Sequence, residues 1–96
     1  MESKRYDYEA LKAVIARLRA PDGCPWDREQ THDSLKRFLI EETYETLEAI
    51  DAKDDAKICD ELGDVLLQVV LHAQIAAEAG RFTMDDVVHG VAAKMV

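Results

Sequence analysis

From Leu62 to Ala77 the sequence is apolar nearly all the way round a helix, yet Lys57, Glu61, Asp64, Gln68 and His72 fall on one narrow polar stripe of the same helix. A helix with apolar residues on every other side must be packed on most of its surface, so it belongs inside a bundle of helices. Ionised carboxylates on such a helix need cations or hydrogen-bond donors, because leaving them uncompensated costs several kcal/mol or raises their pKa. This single segment therefore predicts an all-α fold and a polar line that must find partners. A chain of 96 residues hides only about 60 to 65% of its unfolded surface when it folds alone, so association with a second copy is expected.

Three further helices are readable around it. Leu11, Val14, Ile15 and Leu18 repeat at helical spacing and predict a helix over 6–19, stopped by Pro21-Asp22-Gly23. Residues 20–30 hold both prolines, a glycine and the only tryptophan, and read as an irregular loop. Thr31 is suited to cap a second helix running to Asp51, whose apolar side is Leu35, Leu39, Ile40, Leu47 and Ile50, flanked by Tyr44. The short link 52–55 implies that the second and third helices are antiparallel neighbours. The third helix, about 55–79, closes at Gly80, and Thr83-Met-Asp-Asp86 fits a capping box that starts a fourth. Nothing reads as a strand.

The net charge of −8 disfavours direct contact with a nucleic-acid backbone, which needs clustered Lys and Arg. A phosphorylated ligand would have to arrive through cations. Cys24 and Cys59 lack the spacing of a zinc site or a disulfide framework, and Met1 to Tyr8 lack the apolar core of a signal peptide. With no segment long enough to span a bilayer, a cytoplasmic protein with reduced thiols and no membrane partner is expected.

On the second helix Glu41, Glu45 and Glu48 fall within about 60° of one another, with Glu42 on the shoulder of that arc. Antiparallel pairing can bring Glu42 and Glu45 opposite Glu61 and Asp64, four carboxylates around one space that only a metal or protonation would neutralise. Hard oxygen ligands of this kind suit Mg²⁺ or Mn²⁺. The competing readings are an ordinary solvated face for the second-helix glutamates, and ion pairs to Lys57 or Lys53 for Glu61 and Asp64. Lys57 itself either counters ligand charge or pairs with Glu61. Trp26 either stacks on a nucleobase or anchors its loop. His72 either orders water near the metal or is a hydrogen-bonded core residue. Phe38 and Tyr44 read as bundle packing.

Glu41-Glu-x-x-Glu45, a gap of 15 residues, and Glu61-x-x-Asp64 resemble the signature of the MazG family of all-α nucleotide pyrophosphohydrolases. The surrounding words Gly23-Cys-Pro-Trp-Asp-Arg-Glu-Gln-Thr-His32, Leu39-Ile-Glu-Glu-Thr-Tyr-Glu45, Asp60-Glu-Leu-Gly-Asp64 and Leu67-Gln-Val-Val-Leu-His-Ala-Gln74 extend the resemblance over about residues 8 to 95. It implies one domain over 1–96, in a helical bundle completed by homodimerisation or higher self-association. It also implies Mg²⁺-dependent hydrolysis of nucleoside triphosphates to monophosphate and pyrophosphate, as a house-cleaning activity. By matching positions, Glu42, Glu45, Glu61 and Asp64 become the expected metal ligands. Catalytic assistance then falls to Glu41, as ligand to a further ion, orienter of water or general base, and to Lys57 beside the phosphates, with Trp26 as a base contact. Relatives of this family commonly continue past the equivalent of Lys94 into an Arg-Arg-His-Pro-His segment and a second domain. The stop at Val96 therefore reads as a truncation or as one member of a tandem. The alternative is a metal-binding dimerisation or regulatory domain with little or no turnover.

Overall fold

The computed structural model describes residues 4–96. Residues 1–3, part of the N-terminal segment considered above, lie outside the description. The described residues form five helices and no strand, α1 Tyr8–Leu18, α2 Pro25–Glu29, α3 His32–Asp51, α4 Asp55–Glu78 and α5 Met84–Met95. They divide into two packing units, one ending at Gln30 and the other spanning Thr31–Val96.

In the first unit Asp7 caps α1, its Oδ1 accepting from the Ala10 amide at 2.8 Å, and Ile15 is buried. The expected irregular loop over 20–30 instead contains a short helix, α2. Pro25 occupies its first turn, where the missing N–H is no loss and the fixed φ favours helix. Two arginines hold this segment. The Arg19 guanidinium donates to the carbonyls of Asp27 and Gln30, and Arg28 donates to the Pro21 carbonyl at 2.7 Å. The turn before α2 is close, with the Gly23 amide donating to Ala20 O and the Cys24 amide to Leu18 O, both at 2.8 Å. A Cβ at position 23 would overlap the backbone carbonyls of Leu18 and Arg17, which cannot swing aside as a side chain would. Gly23→Ala is therefore expected to cost about 2 to 3 kcal/mol. By thermal denaturation this is a melting temperature lower by roughly 10 to 20 °C in a chain of this size.

The second unit is built on α3 and α4, joined by Ala52, Lys53 and Asp54 and packed antiparallel. Both expected caps form. Thr31 Oγ1 accepts from the Ser34 amide at 3.1 Å while Ser34 Oγ accepts from the Thr31 amide at 2.8 Å. Thr83 and Asp86 exchange the equivalent bonds at the start of α5. At the end of α4 Gly80 takes φ 70°. The Gly80 amide then reaches Ala77 O and the Arg81 amide reaches Ala76 O, satisfying carbonyls the last turn leaves free. α5 packs on α4.

The face that α3 buries differs from the expected one. Leu35 is fully buried, but the other buried residues of α3 are Thr46 and Ala49. Leu39, Ile40, Leu47 and Ile50 remain exposed, as does Tyr44. The reason is geometric. Leu35, Glu42, Thr46 and Ala49 share one helical line, and its small residues let α3 approach α4 closely at the end nearest the link. Ile40, Tyr44 and Leu47 form a second line, and most of their surface is left to solvent within this chain. On α4 the burial runs through Gln68, Val70, Leu71, Ala73 and Ala76, with Leu62 and Leu66 exposed.

Candidate metal centre

The antiparallel hairpin sets the register in which His32 meets His72 and Glu42 meets Glu61. Glu42 stands on the buried line of α3, and Glu61 begins the polar stripe of α4. Glu45, one turn beyond Glu42, leans into the same space. One carboxylate oxygen from each of Glu42, Glu45 and Glu61 lies within 4.8 Å of the others. Glu42 and Glu61 are half-buried and Glu45 is exposed. Glu42 Oε2 and Glu61 Oε2 are buried atoms with no hydrogen-bond donor among the described residues. Neither Lys53 nor Lys57 forms an ion pair with Glu61 or Asp64.

Concentrated negative charge without a cation has the expected electrostatic result. The Glu42 carboxyl is pushed above its ordinary pKa by burial first, then by the charges of Glu45, Asp64 and Glu61. Glu61 is pushed up likewise, first by burial and then by its close contact with Glu45 and the charges of Glu45, Asp64 and Asp60. Beside the cluster opens a cavity of about 660 Å³ lined by Glu45, Glu48, Ala49, Ala52, Lys57, Asp60 and Glu61. Lys57 is the one cation among these residues and is exposed.

Not every residue singled out in the sequence converges here. Asp64 is exposed and outside the group of three, although its charge acts on Glu42 and Glu61. Glu41 points away, paired with Arg37 Nε at 3.7 Å along the outer face of α3. Trp26 belongs to the first unit, where it is half exposed and its carbonyl accepts from Gln30 Nε2 at 2.9 Å. Glu48 and Asp60 line the cavity without having been assigned a role. The i, i+3 step from Glu45 to Glu48 and the neighbour position of Asp60 to Glu61 were the available signals. His72 meets His32 across the hairpin, and burial followed by the charge of His32 lowers its pKa. Nothing in the spacing of His32 marked it, because its partner is 40 residues away.

Comparison with known proteins bears directly on this arrangement. Residues 30–96, which contain every carboxylate of the cluster and of the adjoining cavity, match the model of the MazG nucleotide pyrophosphohydrolase domain. The chain belongs to the MazG family. It is 56% identical over 89 residues to a Thermotoga maritima protein named nucleoside triphosphate pyrophosphohydrolase/pyrophosphatase MazG, covering 93% of this chain and 35% of that protein. An Escherichia coli K12 nucleoside triphosphate pyrophosphohydrolase is 44% identical over 88 residues, covering 91% of this chain and 34% of its own length. YabN of Bacillus subtilis is 55% identical over 91 residues, 95% of this chain and 19% of YabN. The chain thus spans about a fifth to a third of the length of these relatives. As in the all-α reading of the MazG signature, the described residues contain no strand. No helix among them is long and apolar enough to cross a membrane.

Proposed function

We propose that this MazG domain hydrolyses nucleoside triphosphates to the monophosphate and pyrophosphate with a divalent cation, Mg²⁺ or in its place Mn²⁺, held by Glu42, Glu45, Glu61 and Asp64. The observation that carries the reading is the pair of buried, donorless oxygens Glu42 Oε2 and Glu61 Oε2, on two carboxylates grouped with that of Glu45. An all-oxygen, all-anionic donor set fits a hard cation, which neutralises the group without the protonation that it otherwise favours. The pyrophosphohydrolase names of the Thermotoga and Escherichia coli relatives support the same activity.

When bound, the cation would neutralise charge on the phosphate chain and lower the pKa of a nearby water. The chain's own residues do the rest. Glu42 and Glu61 fix the position of the charge because the α3–α4 packing holds their backbones. Lys57 offers its ammonium at the wall of the adjoining cavity to the departing pyrophosphate. Glu41, one residue from this line, assists as a base or water-orienting group once its exposed pair with Arg37 opens.

We further propose that residues 1–96 act as one domain of a homodimer. Ile40, Tyr44 and Leu47 form an apolar line 50 to 61% exposed, directly beside the acidic line of Glu41, Glu45 and Glu48. Leu62 and Leu66 add apolar surface on α4. A second copy covering these residues would also exclude water from the carboxylates, strengthening their hold on a cation.

The test is product analysis with a panel of nucleoside triphosphates and Mg²⁺. Monophosphate and pyrophosphate in equal amounts, with no orthophosphate and no reaction in EDTA, are expected. Release of orthophosphate would overturn the assigned bond cleavage. Metal-dependent stabilisation without any turnover would assign the domain to regulation or assembly instead.

A further inference from the structure

His32, at the start of α3, and His72, on α4, approach through their Nδ1 atoms at 2.7 Å with ring planes 1° apart. Parallel planes cannot be farther apart than their closest atoms, so these are separated by at most 2.7 Å. That is less than the contact distance of two stacked rings. The imidazoles therefore lie edge to edge in nearly a common plane, which also explains the 5.0 Å between their centroids. The two Nδ1 lone-pair directions face each other, with room for one proton between them.

A second observation lies one turn back along α4. Gln68 is 7% exposed and its Oε1 has no hydrogen-bond partner among the described residues, nor does the buried Nε2 of His72. Residues four apart on a helix are neighbours on one face. A histidine that ligates a metal through Nδ1 carries its proton on Nε2 and donates it to a carbonyl or carboxylate. The Gln68 carbonyl is an acceptor of that kind on the same stripe as the donor.

We propose that His32 and His72 form a site for a borderline divalent transition ion such as Zn²⁺, ligated through both Nδ1 atoms, with the Gln68 carboxamide turning to receive the His72 Nε2–H, a bond it does not make in the present conformation. Imidazole nitrogen favours such ions, whereas the carboxylate cluster favours hard ones, so the two sites select differently. His32 and Glu42 are ten residues apart on α3, about 15 Å along the axis, and the sites do not share ligands. Two nitrogens on one tetrahedral ion at about 2.0 to 2.1 Å each stand roughly 3.3 Å apart, so the pair needs to open by about half an ångström and both rings need to turn until their lone pairs meet at the ion, off the present N–N line. The remaining coordination positions are left for water or an added ligand. The ion would join the first turn of α3 to the middle of α4.

Zinc binding to this chain, measured in excess Mg²⁺ by competition with a chromophoric chelator, tests the site. One zinc per chain is expected, with His32→Gln and His72→Gln each weakening it at least about tenfold. His89→Gln, at the exposed histidine of α5, should leave it unchanged. Nitrogen-15 spectra of the unaltered chain, labelled at histidine, provide a reading independent of any variant. Saturating zinc should shift the Nδ1 signals of both residues while their Nε2 atoms stay protonated. Zinc binding unaffected by both substitutions, or Nδ1 signals that do not move at saturation, would overturn the site and leave only a proton-sharing pair.

Discussion

Glu61→Gln is expected to slow nucleoside triphosphate cleavage at least about 100-fold while raising the melting temperature of the metal-free chain. The two effects have one cause. The substitution keeps the shape of the side chain but removes a negative charge from the group formed with Glu42 and Glu45. Without a cation that charge is a liability, since burial and its neighbours already raise the Glu61 pKa. With a cation it is the attraction that holds the ion, and loss of one such electrostatic partner in an active site costs about 10²- to 10³-fold in rate. Steady-state kinetics and thermal denaturation in EDTA check both. Unchanged turnover would remove Glu61 from the proposed mechanism, and a lower metal-free melting temperature would mean that the carboxylates do not repel one another.

Saturating Mg²⁺ should raise the melting temperature of the unaltered chain by roughly 10 to 20 °C near neutral pH. An ion present at about a hundred times its dissociation constant adds about 2.7 kcal/mol. Each kcal/mol is worth about 4 to 8 °C in a chain this short. The pH dependence should reverse between the two states. In EDTA, Glu42 and Glu61 have folded pKa values above their unfolded ones. The folded chain then binds more protons, and the contribution of these groups is complete below the unfolded pKa and is lost as pH rises through the raised folded pKa. With Mg²⁺ the ligands must be deprotonated, so the same rise in pH strengthens binding and stability. A melting temperature indifferent to Mg²⁺ from pH 5 to 8 would count against a metal centre in this hairpin.

Much of the fold was legible because it rests on local chemistry. Thr31, Thr83 and Gly80 mark helix ends through bonds to residues within four positions, and each occupies the expected cap. The Pro25 segment reads as irregular yet forms α2, because proline marks both the end of one helix and the first turn of another. The burial of α3 also departs from the pattern of its aliphatic residues. Counting aliphatic residues selects Leu39, Ile40, Leu47 and Ile50, but close helix approach selects Thr46 and Ala49.

The polar stripe of α4 shows where the boundary lies. Its residues share a face because a helix repeats every 3.6 residues, and that much the sequence determined alone, together with the all-α class and the acidity of the α3 face. Which stripe members would meet which partners depended on how far α3 slides along α4, a quantity set by packing over the whole hairpin. That register brings Glu42 and Glu45 to Glu61, leaves Asp64 exposed, and carries His32 to His72. A shift of one turn would move the side chains by about 5.4 Å and dissolve both groups. Local periodicity puts a residue on a face; only tertiary packing decides what stands opposite it.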